Sequence, residues 1–196
     1  MQTFLPYDNY EKSVESLDDS RLRKQCVEVG QILNAVIYNT GWKNHPVSKM
    51  FKNHTNSLVT YGLYACVEAK TRGFKWEKNY DKIIGFYNHQ NCDDMPEWMG
   101  DQELHDSHKS RLLEKGLFDV VCGRIKKHFK LRSINRWLKD KLKLEKNQLK
   151  IQNGDLKYLQ NIIDENNILD YGMKNYYEQF NWQVKVGTPY KWAKTE

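Results

Sequence analysis

Leu22, Cys26, Val29, Leu33 and Val36 recur at steps of three and four residues behind the pair Asp18 and Asp19, and that spacing suits one kind of backbone. On an α-helix the five share one apolar stripe, whereas a strand would scatter them over both faces. Asp18 or Asp19 offers a side-chain oxygen to the free N–H groups of the first turn, and the helix is expected to end near Asn39 to Gly41. Other segments repeat the pattern. Asp8 with Glu11 makes a capping box for a short helix whose Tyr10, Val14 and Leu17 fall on one side. Pro46 opens a third helical region, broken near Asn53 to Ser57, which runs through Leu58, Tyr61 and Ala65 to a glycine stop at Gly73. Residues 74 to 95 read as a connection with one short helix. Pro96 and Asp101 begin another helix, which Gly116 is expected to end. Beyond it come an amphipathic basic helix through Leu131, Ile134, Leu138, Leu142 and Leu149, and one more over KYLQNIIDENNIL. With no convincing alternating strand and no internal repeat, the expected fold class is all-α. Trp42, Trp98 and Trp182 are assigned to the core.

A chain of 196 residues suits a single domain, 1–196, and folding at that size buries roughly 70% of the unfolded surface, enough for a core without disulfide or metal support. Cys26, Cys66, Cys92 and Cys122 are widely spaced and form no C-x-x-C pair, so they read as reduced thiols and favour a cytoplasmic setting. MQTFLPYDNYEK lacks the basic start and apolar core of a signal peptide, and no window reaches the ~18 apolar residues of a membrane span. A soluble monomer is expected.

The charge is concentrated. Between Arg124 and Lys150 stand 11 Lys and Arg against Asp140 and Glu145, a net +9, so the rest of a +6 chain is −3. Such a segment suits a phosphate backbone, although a solvated helix face has the same composition.

Arg21, Lys24, Glu28 and Gln31 step by three and four opposite the apolar stripe, and so share a face of the second helix. His108, Arg111 and Lys115 form a second cationic stripe further on. A carboxylate flanked by cations suits a reaction that places an acid or base beside an anionic substrate; a plain Lys24–Glu28 ion pair, worth about 0.3 to 0.5 kcal/mol, has the same spacing. His105 and His108, with His45 and His54 elsewhere, have the makings of a metal site, but no carboxylate cluster completes it. His45 and His108 read equally as polar groups beside a DNA groove or as satisfied core histidines.

Six stretches carry a resemblance: TFLPY, LDDSRLRKQCVEVGQIL, GWKNHP followed by KM, KTRGF, MPEWMGDQELHDSHKSRLLEK and the ending TPYKW. In that order they resemble the pyrimidine-dimer DNA glycosylase family of endonuclease V type, in its bacterial and phage branch that begins TFLP, over roughly residues 1 to 117 and 171 to 192. The resemblance implies a compact all-helical fold and a two-step reaction on double-stranded DNA with a flipped or damaged base, without cofactor or metal. A protein amine displaces the base through a Schiff base, and a glutamate assists the elimination that cuts the strand. The pattern D-x-x-L-x-x-x-x-x-E puts that glutamate on Glu28, and R-L-x-E-K puts DNA-contacting cations on Arg111 and Lys115. Arg21, Gln25, His45 and His108 join them as expected DNA contacts, with Tyr190 and Trp192 as the family's aromatic tail. The likeness implies an α-amine as nucleophile. With Gln2 after Met1, Met1 is expected to be retained, and its α-amine is favoured over Lys24. A reference α-amine of pKa about 7.7 to 8.0 is roughly one-tenth unprotonated at neutral pH, far more than a reference lysine. Two arginines beside the family's glutamate correspond to Val27 and Gln31 here, so the excised base is open. Residues 118–170 have no counterpart in compact members and are expected to form a basic helical insertion. Two other functional classes stand beside this one: a non-catalytic DNA-binding protein of the same fold, and a metal-dependent nuclease using His105 and His108.

Overall fold

The structure, a computed structural model, describes residues 1–87, 95–129 and 175–193. Its elements are α1 (Tyr10–Glu15), α2 (Asp19–Ile37), α3 (Pro46–Met50), α4 (Thr55–Thr71), α5 (Glu77–Ile84), α6 (Gln102–Phe129) and a 3-10 turn at Tyr176–Phe180. Among the described residues there is no strand, so the fold is all-α. The expected helices around residues 131–149 and 157–169, and most of the 118–170 insertion, lie outside the described residues.

The chain divides into two compact units, Met1–Lys109 with Tyr190–Glu196, and Ser110–Pro189. In the first, α2 is the central element and packs on α3, α4 and α5. Four of the five stripe residues, Leu22, Cys26, Val29 and Leu33, are sealed from water together with Ile32, while Val36 near the helix end is half-buried. A fully buried side chain of this size contributes about 1.5–3 kcal/mol, several times an exposed i,i+4 ion pair, so the apolar stripe decides how α2 is turned. Asp18 caps the helix, accepting from the backbone N–H groups of Ser20 and Arg21 at 2.9 and 3.0 Å. The helix stops at Ile37, two residues before the expected Asn39, where a φ of 54° breaks its path. For α1 the cap is Asn9 instead of Asp8, its side chain accepting from Lys12 N–H at 2.9 Å. Pro46 opens α3, and α4 ends at Thr71 with Gly73 at φ 76° beyond it.

Glycine serves packing at two positions. A Cβ on Gly62 would sit 2.6 Å from Val29 Cγ1 and 3.1 Å from Ile83 Cδ1, so its hydrogen lets α4 approach α2 and α5. Gly116, expected to stop a helix, lies inside α6 instead. A Cβ there would meet Asn175 Oδ1 at 1.9 Å, and the Asn175 amide donates to the Leu113 carbonyl at 3.0 Å. Close approach, not helix termination, explains that glycine. Trp98 and Trp182 are partly covered, the first edge-on to Phe51 and the second stacked on Tyr177 and Phe180. Trp42 departs from its expected place: it is 56% exposed, on the turn between α2 and α3.

Gly62→Ala is expected to destabilise the protein by about 1–3 kcal/mol, because a well-packed contact has no room for a methyl group. Adding Val29→Ala should relieve the clash, so urea denaturation of the double variant is expected to show less than the sum of the two single losses.

Candidate functional site

The first unit holds its N-terminal segment by the backbone. Gln2 N–H donates to Glu28 Oε2 at 3.2 Å, and the Gln2 carbonyl accepts from Gln25 Nε2 at 2.8 Å. Tyr190 hydroxyl donates to the Thr3 carbonyl. Tyr61 hydroxyl lies 3.0 Å from the Phe4 carbonyl and 2.9 Å from Gln25 Oε1, its one proton shared between them. Leu5 N–H donates to His108 Nδ1 at 2.9 Å, and the Leu5 carbonyl meets His105 Nδ1 at 2.7 Å. Burying an amide without such partners costs free energy, and an extended segment inside a helical unit has no ladder to supply them. Side chains from α2, α4, α6 and the tail replace the missing ladder.

The two histidines have defined proton positions. His105 Nε2 accepts from Gly100 N–H at 3.1 Å, so its Nδ1 carries the proton given to Leu5. His108 has the opposite tautomer: Nδ1 accepts from Leu5, and Nε2–H donates to the Lys191 carbonyl at 3.2 Å. Burial pushes the His108 imidazole down to about 3, with His105 adding to the effect and the Lys191 carbonyl opposing it. Tyr190 stacks on His108 with ring centroids 4.2 Å apart.

These placements revise several sequence expectations. Gln25 and His108, expected to face DNA, are fully buried and bound to the N-terminal segment. Tyr190, expected to meet a base, spends its ring on His108 and its hydroxyl on Thr3. The stripe Arg21, Lys24, Glu28 and Gln31 is not one solvent face. Glu28 is only 8% exposed, whereas the Lys24 side chain is 65% exposed and reaches Glu28 Oε1 at 3.5 Å. Arg21 pairs with Asp18 at 3.1 Å. What set Gln25 and Glu28 inward was invisible in α2 alone, because their partner is backbone some twenty residues upstream.

His45 borders the same place. Its Nδ1 caps α3, accepting from Val47 N–H at 3.2 Å, and its ring meets Trp192 edge-on at 5.5 Å and Trp42 at 5.8 Å. Burial lowers its basicity first and the N-terminal positive charge second, while the Glu28 carboxylate raises it. That imidazole therefore feels both charges of the site. Among the described residues no group of three His, Cys, Asp or Glu side chains is arranged to hold a metal ion. Both ring nitrogens of His105 and of His108 are occupied by backbone groups.

Arg111 and Lys115 belong to the second unit. Arg111 Nη1 pairs with Glu114 Oε2 at 2.6 Å. Burial raises the Glu114 carboxyl, and the Arg111 guanidinium opposes that rise.

Residues 1–82 match the family model described as pyrimidine dimer DNA glycosylase. No curated protein and no solved structure matches the chain. The matched span contains Lys24, Gln25, Glu28, His45 and Tyr61, and stops short of His105, His108 and Tyr190.

Because His108 stays neutral in the fold down to about pH 3 while an unfolded histidine protonates near 6.5, its contribution to stability is present above about 6.5 and is lost as the pH falls towards 3. Thermal unfolding of the wild type is expected to decline over that window more steeply than that of His108→Asn. Parallel profiles would show that this ring does not carry the acid sensitivity.

Proposed function

We propose that this chain, whose residues 1–82 match the family model described as pyrimidine dimer DNA glycosylase, excises a base from duplex DNA and cleaves the resulting abasic site through a Schiff base. The observation that carries the reading is the meeting of Glu28 with the N-terminal backbone, 3.2 Å from carboxylate to Gln2 N–H, inside a wall of buried side chains. A carboxylate beside the chain terminus serves a cationic intermediate formed on a terminal amine.

The unprotonated α-amine of Met1 attacks C1′ of the target deoxyribose. The bond from C1′ to the base breaks, and the base leaves with its electron pair and takes up a proton. The amine gives one of its two protons to the departing base, and the opening ring oxygen takes up a proton from solvent, leaving a protonated imine between protein and sugar. Glu28 stabilises that positive charge, assists ring opening and draws a proton from C2′. The C3′–O bond then breaks, the phosphate departs with its electron pair, and water releases the sugar from the protein. Lys24, 3.5 Å from Glu28 and open to solvent, is the second amine within reach of the same carboxylate. On the first unit, Arg21 and Lys24 supply positive charge to phosphates and His45 and Trp192 border the reacting sugar; the second unit has its own cations for phosphate in Arg111 and Lys115. Gln25, His108 and Tyr190 act one step back, by holding the segment that carries the amine.

Borohydride reduction tests this on duplexes carrying a thymine dimer or a plain abasic site. The expected result is a permanent protein–DNA link that maps by mass spectrometry to Met1, with strand cleavage by Glu28→Gln lower by about a hundredfold or more. A link at Lys24 would move the nucleophile, and a link to abasic DNA alone would change the target base. No link to either would overturn the reading in favour of a DNA-binding protein without chemistry or a metal-dependent nuclease.

A further inference from the structure

Trp42 is an aromatic side chain that the fold leaves mostly in water. An indole has about 150–250 Å² of surface to bury, and Trp98 buries part of its own against Phe51 and His54. Trp42 leaves 56% of its area in water. Its ring is nevertheless steered. It meets His45 at 83° and 5.8 Å, a T-shaped contact that holds the indole in place while more than half of its surface stays in water.

The backbone below it is a tight turn. Asn39 and Gly41 both have left-handed φ, 54° and 55°, a conformation that glycine adopts without strain. His45 N–H donates to the Trp42 carbonyl at 2.9 Å, and Pro46 then starts α3. Trp42 thus stands on a short closed loop, beside the exposed cation Lys43. The loop is joined to the site by a run of rings: Trp42 to His45, His45 to Trp192 at 5.5 Å, and Trp192 to Tyr190 at 4.6 Å. Tyr190 in turn holds the Thr3 carbonyl, next to the residue bound by Glu28.

We propose that Trp42 is a stacking platform for a DNA base bordering the lesion, filling the gap that opens in the stack when the target nucleotide is turned out. The inference rests on the glycosylase reading, because it places the base at the rim of that site. A base flipped from a duplex leaves its neighbours without a stacking partner. A flat ring that is more than half exposed compensates for that loss regardless of sequence, since every base has a π-face. Lys43 beside it has the sign to meet a flanking phosphate. Tyr190 and Trp192 fit this role less well, the first bound on ring and hydroxyl and the second half-buried between His45 and Tyr190.

The test uses a duplex with a tetrahydrofuran abasic analogue, which binds without chemistry, and 2-aminopurine beside it. The full-length wild type is expected to bind this duplex more tightly than an intact one and to keep the 2-aminopurine quenched. Trp42→Ala should bind the analogue duplex about tenfold more weakly and leave 2-aminopurine bright, whereas Trp42→Phe should stay within about threefold of the wild type, the pattern of a lost and a conserved stack. Intact duplex should bind equally to all three. Wild-type affinity in Trp42→Ala would overturn the proposal, as would a Trp42→Phe as weak as the alanine variant or an equal loss on intact DNA. A wild type with no preference for the analogue would sink the glycosylase reading along with it; preference with an unaffected alanine variant would sink only the role of Trp42.

Discussion

The buried backbone of residues 2 to 5 is the constraint from which much of the first unit follows. An extended segment inside a helical unit presents amide groups that no neighbouring strand can satisfy. The Gln2 and Leu5 N–H groups and the four carbonyls are met by side chains: Glu28 and Gln25 from α2, Tyr61 from α4, His105 and His108 from α6, and Tyr190 from the tail. Those residues cannot be exchanged for apolar ones of similar size without leaving a buried amide unpaired. The polarity of this interior therefore reflects the segment it encloses.

Charge placement follows the same division. Glu28 is enclosed on the protein side while its partner Lys24 remains in water, so the pair spans the boundary between interior and solvent. A carboxylate so placed is screened less than one in bulk water, and it raises the basicity of His45 against the effect of burial. The two histidines deeper in contribute no charge. Their tautomers are opposed, one donating to the Leu5 carbonyl and the other accepting from its N–H, and a proton added to His108 would set donor against donor.

The sequence made the helices legible wherever periodicity and capping were local. The stripe from Leu22 to Leu33 is buried, Asp18 is the cap of α2, and Pro46 opens α3, each readable within a few residues. Glu28 was singled out by likeness to a family, and its place against the Gln2 N–H came only with the structure. Gln25 looked like a surface residue because its partner, the Gln2 carbonyl, lies in a different segment. His108 looked like part of a cationic stripe because helical spacing cannot tell that a backbone N–H waits on that side. Gly116 resembled a helix stop because the reason for it, Asn175, is far along the chain. Trp42 was assigned to the core on residue type alone, and what decided otherwise was the turn on which it stands.

The bond from Tyr190 to the Thr3 carbonyl joins residues 187 positions apart. During synthesis residues 3 to 5 leave the ribosome well before the side chains that enclose them, His105 and His108 following Leu5 by 100 and 103 positions and Tyr190 following Thr3 by 187. The amide groups of residues 3 and 5 must stay hydrated through most of translation. The enclosed terminus is thus a product of the completed first unit, and a nascent chain halted before Tyr190 has its first residues without the wall that is built around them.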